Sequence, residues 1–231
     1  MNRDKEIVGI ITAQDVVEAV DDEMGEDYAK LAGLTAEEDL QETTKQSIKK
    51  RLPWLVVLLV LGMGVSAVVG AFENVVAILP IVICFQSLIL DMAGNVGTQS
   101  LAVTIRVLMD EELAPKDKLK LVLKEAKVGF SNGFLLGILA IVFLGLYIFL
   151  YKGYDIRHAF LISLCVGVSL LLAMIVSSLV GTLVPLFFKK IKVDPAVASG
   201  PLITTVNDLV AVVIYYGLSW VFLIQTMHIL G

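Results

Sequence analysis

The residues best placed to do chemistry lie in Gly200-Pro-Leu-Ile-Thr-Thr-Val-Asn-Asp-Leu-Val-Ala-Val-Val-Ile-Tyr215, where Thr204, Thr205, Asn207 and Asp208 interrupt an apolar run. From Ala196 to the C-terminus, the only other acid or base among Asp, Glu, Lys, Arg and His is His228. A carboxylate at bilayer depth costs at least about 2.5–3.5 kcal/mol, so its presence points to a functional site rather than to a bond with a neighbouring helix. The donors on offer are carboxylate, amide, hydroxyl and backbone oxygen, with no thiolate or imidazole cluster beside them. Hard oxygen ligands suit magnesium, calcium or manganese over zinc or copper. One carboxylate is too little for a dehydrated cage but suits magnesium, which sheds water reluctantly and keeps several waters when bound. In a symmetric dimer two Asp208 side chains would meet at one axis as a ring of charge.

A second constellation lies upstream, in Asp91-Met-Ala-Gly-Asn-Val-Gly-Thr-Gln-Ser100. Asn95 and Gln99 are four apart, on one face if the segment is helical. Gly94 and Gly97 permit either an unwound turn beside an ion path or close packing of small residues between helices. The polar side chains alongside favour the first, so this span is expected to be broken here. Asp91 would flank the pore mouth or cap the broken helix. Glu73, closing an apolar run in Gly70-Ala-Phe-Glu73, reads equally as an interfacial acid. Lys124 and Glu125 are placed at the membrane surface. A carboxylate pair of Asp91 and Asp208 would also admit an intramembrane aspartyl protease, but neither acid sits in a Gly-x-Gly-Asp or Tyr-Asp context.

The elements that must position these groups are legible from hydropathy. Hydrophobic residues make up 57% of the chain, and several charge-free runs exceed the roughly 20 residues that span a bilayer. The spans are placed at 53–72, 75–109, 128–151, 159–188 and 196–231. Asp194-Pro195 and Pro201 bend or break the start of the fifth. Asp208 then falls about 18 Å along a helix from Ala196, near mid-bilayer. The expected fold is an all-α membrane protein with five transmembrane helices, span 2 and the start of span 5 broken. No signal peptide is expected ahead of these spans, because the first fifty residues are polar and acidic.

Charge is divided unevenly. Residues 1–50 hold thirteen acids against six bases, while the remainder holds ten acids against twelve bases. Lysines and arginines gather before span 1, between spans 2 and 3 (Arg106 to Lys127) and after span 4, whereas the opposite side has only Lys152 and Arg157. By the positive-inside rule the N-terminus is cytoplasmic and the C-terminus outside, in the cell (plasma) membrane. Cys84 and Cys165 read as buried, inert thiols. The opening reads as a strand at 7–11 and an amphipathic helix around Val16, Val17 and Val20, with Thr12 and Asp15 forming a capping box. That gives a short cytoplasmic α/β remnant, the tail of something larger. Thr35 and Glu38 start a polar helix running to Arg51. Nothing points to nucleic acid, and no P-loop is present.

Met92-Ala-Gly-Asn-Val-Gly-Thr-Gln99, together with Ala198-Ser-Gly-Pro-Leu-Ile-Thr-Thr-Val-Asn-Asp208, resembles the MgtE family of magnesium channels and transporters. The likeness extends over 38–231 and includes Lys50-Arg51-Leu-Pro-Trp54, Gly70-x-x-Glu73 and Lys124-Glu125. It implies a homodimer with five spans per chain in a lipid bilayer, carrying Mg2+ inward down its electrochemical gradient, with cytoplasmic CBS domains sensing internal Mg2+. It implies that Asp208 is the pore acid, that Asn95 and the backbone around Gly94 and Gly97 line the path, and that Asp194 is a gating-site carboxylate. It further divides the chain into a CBS remnant (1–22), a connecting helix region (23–52) and a pore domain (53–231). Ala93 and Ala211 stand where the family usually has glycine. Two charges moving through 100 mV gain about 4.6 kcal/mol, so no nucleotide hydrolysis is needed. A cation-coupled divalent metal exchanger on the same scaffold is the nearer rival, and an unregulated pore another. Thr12 and Asp15 also match half of a CBS ribose-binding motif.

Overall fold

In the computed structural model, which describes residues 9–36, 40–110 and 114–226, five helical stretches are long and apolar enough to cross a membrane: Thr44–Ala71, Pro80–Leu108, Pro115–Tyr151, Ile156–Lys190 and Gly200–Leu223. The helices run in the order α1 (Ala13–Leu31), α2 (Thr44–Ala71), α3 (Glu73–Ile78), α4 (Ile83–Asp110), α5 (Pro115–Tyr151), α6 (Ile156–Lys190) and α7 (Gly200–Leu218). Single 3-10 turns at Pro80–Val82 and Pro195–Val197 introduce α4 and α7, and a π-helical stretch, Ser219–Thr226, follows α7.

The expected break in span 2 is misplaced. α4 passes through Gly94 and Gly97 without interruption. The interruption lies earlier, where Pro80 turns the chain between α3 and α4. Leu79 before it is held at φ −132°, ψ 77°, outside the helical region that a following proline disfavours. The start of span 5 is broken as expected. Pro201 opens α7 in its first turn rather than bending it, and the Ser199 hydroxyl caps that turn by accepting from the Leu202 N–H at 3.4 Å.

α5 and α6 form the tightest pair. Gly129, Gly133 and Gly137 lie on one face of α5, and a Cβ on any of them would crowd Ser178, Leu171 or the Gly167 carbonyl of α6. In a bilayer, where apolar surfaces gain nothing by avoiding lipid, such close backbone approach is what binds helices. α4 lies across α6 and α7. At the far end of α7, the Tyr215 hydroxyl donates to the Val82 carbonyl at 2.7 Å, and the Tyr216 hydroxyl donates to Gln86 Oε1. Phe72 stacks on Tyr216 at 5.6 Å, so these rings fasten α7 to both sides of the Pro80 turn. By contrast α2 has no buried residue and touches mainly α7.

Several N-terminal expectations change. Gly9, Ile10 and Ile11 are not in a strand, and Ile7 and Val8 lie outside the described residues. No partner strand is present among the described residues, so the α/β remnant is not seen. The Thr12–Asp15 capping box is present: Thr12 N–H donates to the Asp15 carboxylate at 2.7 Å, and Asp15 N–H donates to Thr12 Oγ1 at 3.2 Å. The helix it starts runs on through the acidic stretch to Leu31. The polar helix expected from Thr35 and Glu38 begins instead at Thr44; Glu38 lies outside the described residues. Its start is marked by Thr43 and Gln46, the Gln46 side-chain oxygen accepting from Thr43 N–H at 2.9 Å. α2 then carries Pro53 within it, forgoing one helical hydrogen bond. The neighbouring Lys50 carbonyl accepts from both the N–H and the hydroxyl of Thr35, at 3.2 and 3.0 Å. Cys165 is buried as expected, but Cys84 is exposed.

Candidate functional site

The glycines of α4 exist to let α7 in. A Cβ at Gly94 would lie 3.1 Å from Thr204 Cγ2, and one at Gly97 would overlap the Asn207 amide and press on Ile203. On the third side, a Cβ at Gly181 of α6 would overlap the Gly97 carbonyl. Both α4 glycines are buried. Their carbonyls are therefore not offered by an unwound turn, and that of Gly94 already accepts from Thr98 Oγ1 at 3.1 Å. Close helix packing, not unwinding, explains Gly-x-x-Gly here.

This seam fixes the polar residues of α7. Asn207 is fully buried against Gly97, and neither its oxygen nor its nitrogen has a hydrogen-bond partner among the described residues. Asp208 follows it and is partly exposed, one turn beyond Thr204. Asp208 lies eight residues beyond Gly200, so the carboxylate sits about 12 Å into the helix. No hydrogen bond or ion pair to Asp208 is found among the described residues. Thr205 satisfies its hydroxyl locally by donating to the Pro201 carbonyl at 2.9 Å.

Because α4 is continuous, Asp91, Asn95 and Gln99 recur every four residues along one exposed stripe. Thr98 bonds back to the carbonyls of Gly94 and Asn95 and keeps off that stripe. Among the described residues no group of three or more His, Cys, Asp or Glu could hold a metal. The structure thus brings Gly94, Gly97, Thr204 and Asn207 to one seam, with the partly exposed Asp208 next to Asn207 on α7 and with Asn95 and Asp91 on the exposed face of α4. Glu73 is elsewhere, exposed at the start of α3.

Asp194 stands apart, before α7. Its carboxylate accepts from Lys30 of α1 at 2.9 Å and from the Ala196 N–H at 2.9 Å. Partial burial alone would raise its pKa, but the Lys30 ammonium and the Ala196 N–H outweigh this and hold it below the usual carboxylate range. The hydrogen bond to Asp194 in turn raises Lys30. Burial, and then the charge of Asp194, push Asp27 upward. Trp54 of α2 adds a second fastening, its indole N–H donating to Ser199 Oγ at 3.1 Å.

A further node escaped the sequence reading. Glu125, expected at the membrane surface, is buried at 4% exposure. It accepts from Ser100 Oγ at 2.9 Å, and its backbone carbonyl accepts from Ser178 Oγ at 2.7 Å, so α4, α5 and α6 meet there. The signal was available: Glu125 precedes Gly129, Gly133 and Gly137 at the same four-residue interval and must share their face.

Comparison with known proteins places this geometry in context. The family model MgtE, described as a divalent cation transporter, matches residues 86–218, which hold both halves of the seam. The chain is 36% identical over 220 residues to the magnesium transporter MgtE of Enterococcus faecalis, covering 95% of this chain and 46% of that protein. It is 35% identical to the magnesium transporter MgtE of Bacillus subtilis, covering 94% of this chain and 46% of that one. For the protein of the same name from Thermus thermophilus the identity is 32%, over 92% of this chain and 46% of the relative. The chain spans about half the length of the curated relatives it matches.

Proposed function

The chain belongs to the MgtE family of divalent cation transporters, and from that premise we propose that it forms the pore of a magnesium channel working as a homodimer. The observation that carries this reading is Asp208: a partly exposed carboxylate within a spanning helix, without a hydrogen bond or ion pair among the described residues and next to Asn207, which packs on Gly97. A lone charge at that depth is tolerated only against water or protein. The Asp91, Asn95 and Gln99 stripe of α4 makes the same demand, because polar side chains on a spanning helix do not face lipid. A second copy across this face would supply both, enclosing a water-filled path with an Asp208 from each chain.

In this path a hydrated ion keeps most of its waters. The paired Asp208 carboxylates supply the charge that draws it in, and Asn95, with Thr204, takes hydrogen bonds from the hydration shell. Asn207 and the two glycines set the distance of α7 from α4. Glu73 and Asp91 raise local cation concentration at the outer end. With the lysine-rich ends cytoplasmic, movement is inward and driven by membrane potential. The pore unit is residues 53–231, and 1–52 forms the cytoplasmic part. Within it, α1 rests on the pore's inner mouth through Lys30 and Asp194, which makes Asp194 a gating-site carboxylate and Mg2+ a candidate regulator as well as cargo.

The test is growth of a magnesium-transport-deficient bacterium at low Mg2+. Expression of this chain rescues growth, whereas Asp208→Asn and Asp208→Ala at matched membrane abundance do not. Rescue by all three would make Asp208 structural and end this reading.

A further inference from the structure

We propose that the cytoplasmic end of α5 is a binding site for an anionic glycerophospholipid of the inner leaflet. Two faces of this helix have different fates. The face bearing Leu121, Glu125, Gly129, Gly133 and Gly137 is buried on α6. The opposite face is open along its length. From Val128 to Tyr151 it carries no charge and exposes large apolar side chains, among them Phe134, Leu135, Ile138 and Leu139. Such a surface meets acyl chains. Toward the N-terminus the exposed side changes character, with Lys116, Lys120, Lys124 and Lys127 spread over about 16 Å.

These lysines line an open groove of about 670 Å3. Leu119 and Leu123 lie between them, and Val128 continues the apolar strip into the membrane-spanning part. Ser131 and Asn132 close its apolar end and supply a hydroxyl and an amide there. None of the four lysines makes an ion pair or hydrogen bond among the described residues. Asp117, in the first turn of α5, pairs with none of them. Glu125 is turned away, bonded to Ser100.

The order of these features along α5 matches the order of chemical groups in a phospholipid. Phosphate oxygens meet ammonium groups, the glycerol esters meet Ser131 and Asn132, and the tails run along Leu135 and Leu139. Long lysine stems cover apolar surface while their heads stay at the phosphate plane, and a cluster of four to eight bases beside a span is the pattern that recruits acidic lipid. A soluble anion would use the lysines but not the apolar strip continuous with them, which favours the lipid. The word inner rests on the orientation proposed above. Labelling of Asp117→Cys by an impermeant thiol reagent from either side of the membrane tests that orientation separately.

The experiment is native mass spectrometry of the purified full chain in detergent, titrated with phosphatidylglycerol or phosphatidylcholine, a readout independent of transport and of orientation. The parent retains phosphatidylglycerol at least about tenfold more tightly than phosphatidylcholine. The Lys116→Gln/Lys120→Gln/Lys124→Gln/Lys127→Gln variant loses that preference, while the same four positions as Arg keep it and Lys45→Gln/Lys49→Gln does not change it. All four lysines are exposed, and an unchanged melting temperature verifies the fold of each variant. Equal retention of the two lipids by the parent, or undiminished preference in the Gln variant, overturns the proposal. So does displacement of the lipid by millimolar inorganic phosphate, which assigns the groove to a soluble anion, or conversion of the Gln variant to monomer, which assigns it to a second copy.

Discussion

At the scale of single residues, the decisive contacts are where backbones touch. A Cβ at Gly97 meets the tip of the Asn207 side chain, whereas a Cβ at Gly181 meets the backbone carbonyl of Gly97. Overpacking costs about 1–3 kcal/mol when neighbours must shift, and side chains shift more easily than backbone. Gly97→Ala should therefore lower the melting temperature of the purified protein, and adding Asn207→Ala should restore most of the loss. Gly181→Ala should destabilise more, with no recovery from Asn207→Ala. Equal recovery of both would mean that the two glycines meet the same flexible obstacle. The sequence marked Gly94 and Gly97 as special but left two meanings open, because unwinding and close packing ask for the same residue. Only the position of α7 decides between them. Asp208 was legible without a partner helix, since its anomaly is one of charge in hydrocarbon. Glu125 was misread because its neighbours Lys124 and Lys127 are surface residues, and only the four-residue glycine interval reveals its face.

At the scale of elements, the contact of α1 with the turn ahead of α7, made by Lys30 and Asp194, is the one most open to control. Asp194 has its pKa depressed in the docked state, so its contribution is present above the ordinary carboxylate range and is lost as pH falls through the lowered value. Lys30, raised from 10.5, contributes until pH climbs through its elevated pKa. Asp27 has the opposite sign to Asp194: its raised pKa means that ionising it weakens docking as pH rises through that value. Docking should thus be tightest above the lowered pKa of Asp194 and below the raised pKa of Asp27. Spin labels at Met24→Cys and Val197→Cys should report their shortest mean distance in that window, and Lys30→Gln should lengthen it. A distance indifferent to pH and to Lys30 would show that the Trp54–Ser199 fastening suffices. Element boundaries were the least legible part of the chain. Pro80 carried the real break of span 2, whereas the glycines, which could equally have marked one, are helical. The start of α2 was written in Thr43 and Gln46, a capping pair hidden in a run of polar residues. The π-helical turn after α7 left no mark in composition.

At the scale of the whole molecule, the five spans and their order were legible because a bilayer leaves few ways to satisfy a backbone. What would close a path was not, since a single chain shows only its own surfaces. A closed path requires a second copy against the Asp91, Asn95 and Gln99 stripe. Single cysteines at Asn95 or Gln99 should cross-link between copies in native membranes, while one at Phe134, on the exposed side of α5, should not. The most direct measurement is Mg2+ entry into proteoliposomes holding the parent chain or Asp208→Asn, driven by a potassium diffusion potential with no sodium or proton gradient. Parent flux should follow the imposed potential, and the Asn variant should fall at least about tenfold, as loss of the paired Asp208 charges at the constriction demands. Flux that persists undiminished in Asp208→Asn, or a parent that moves Mg2+ only when a second cation gradient is supplied, would contradict this.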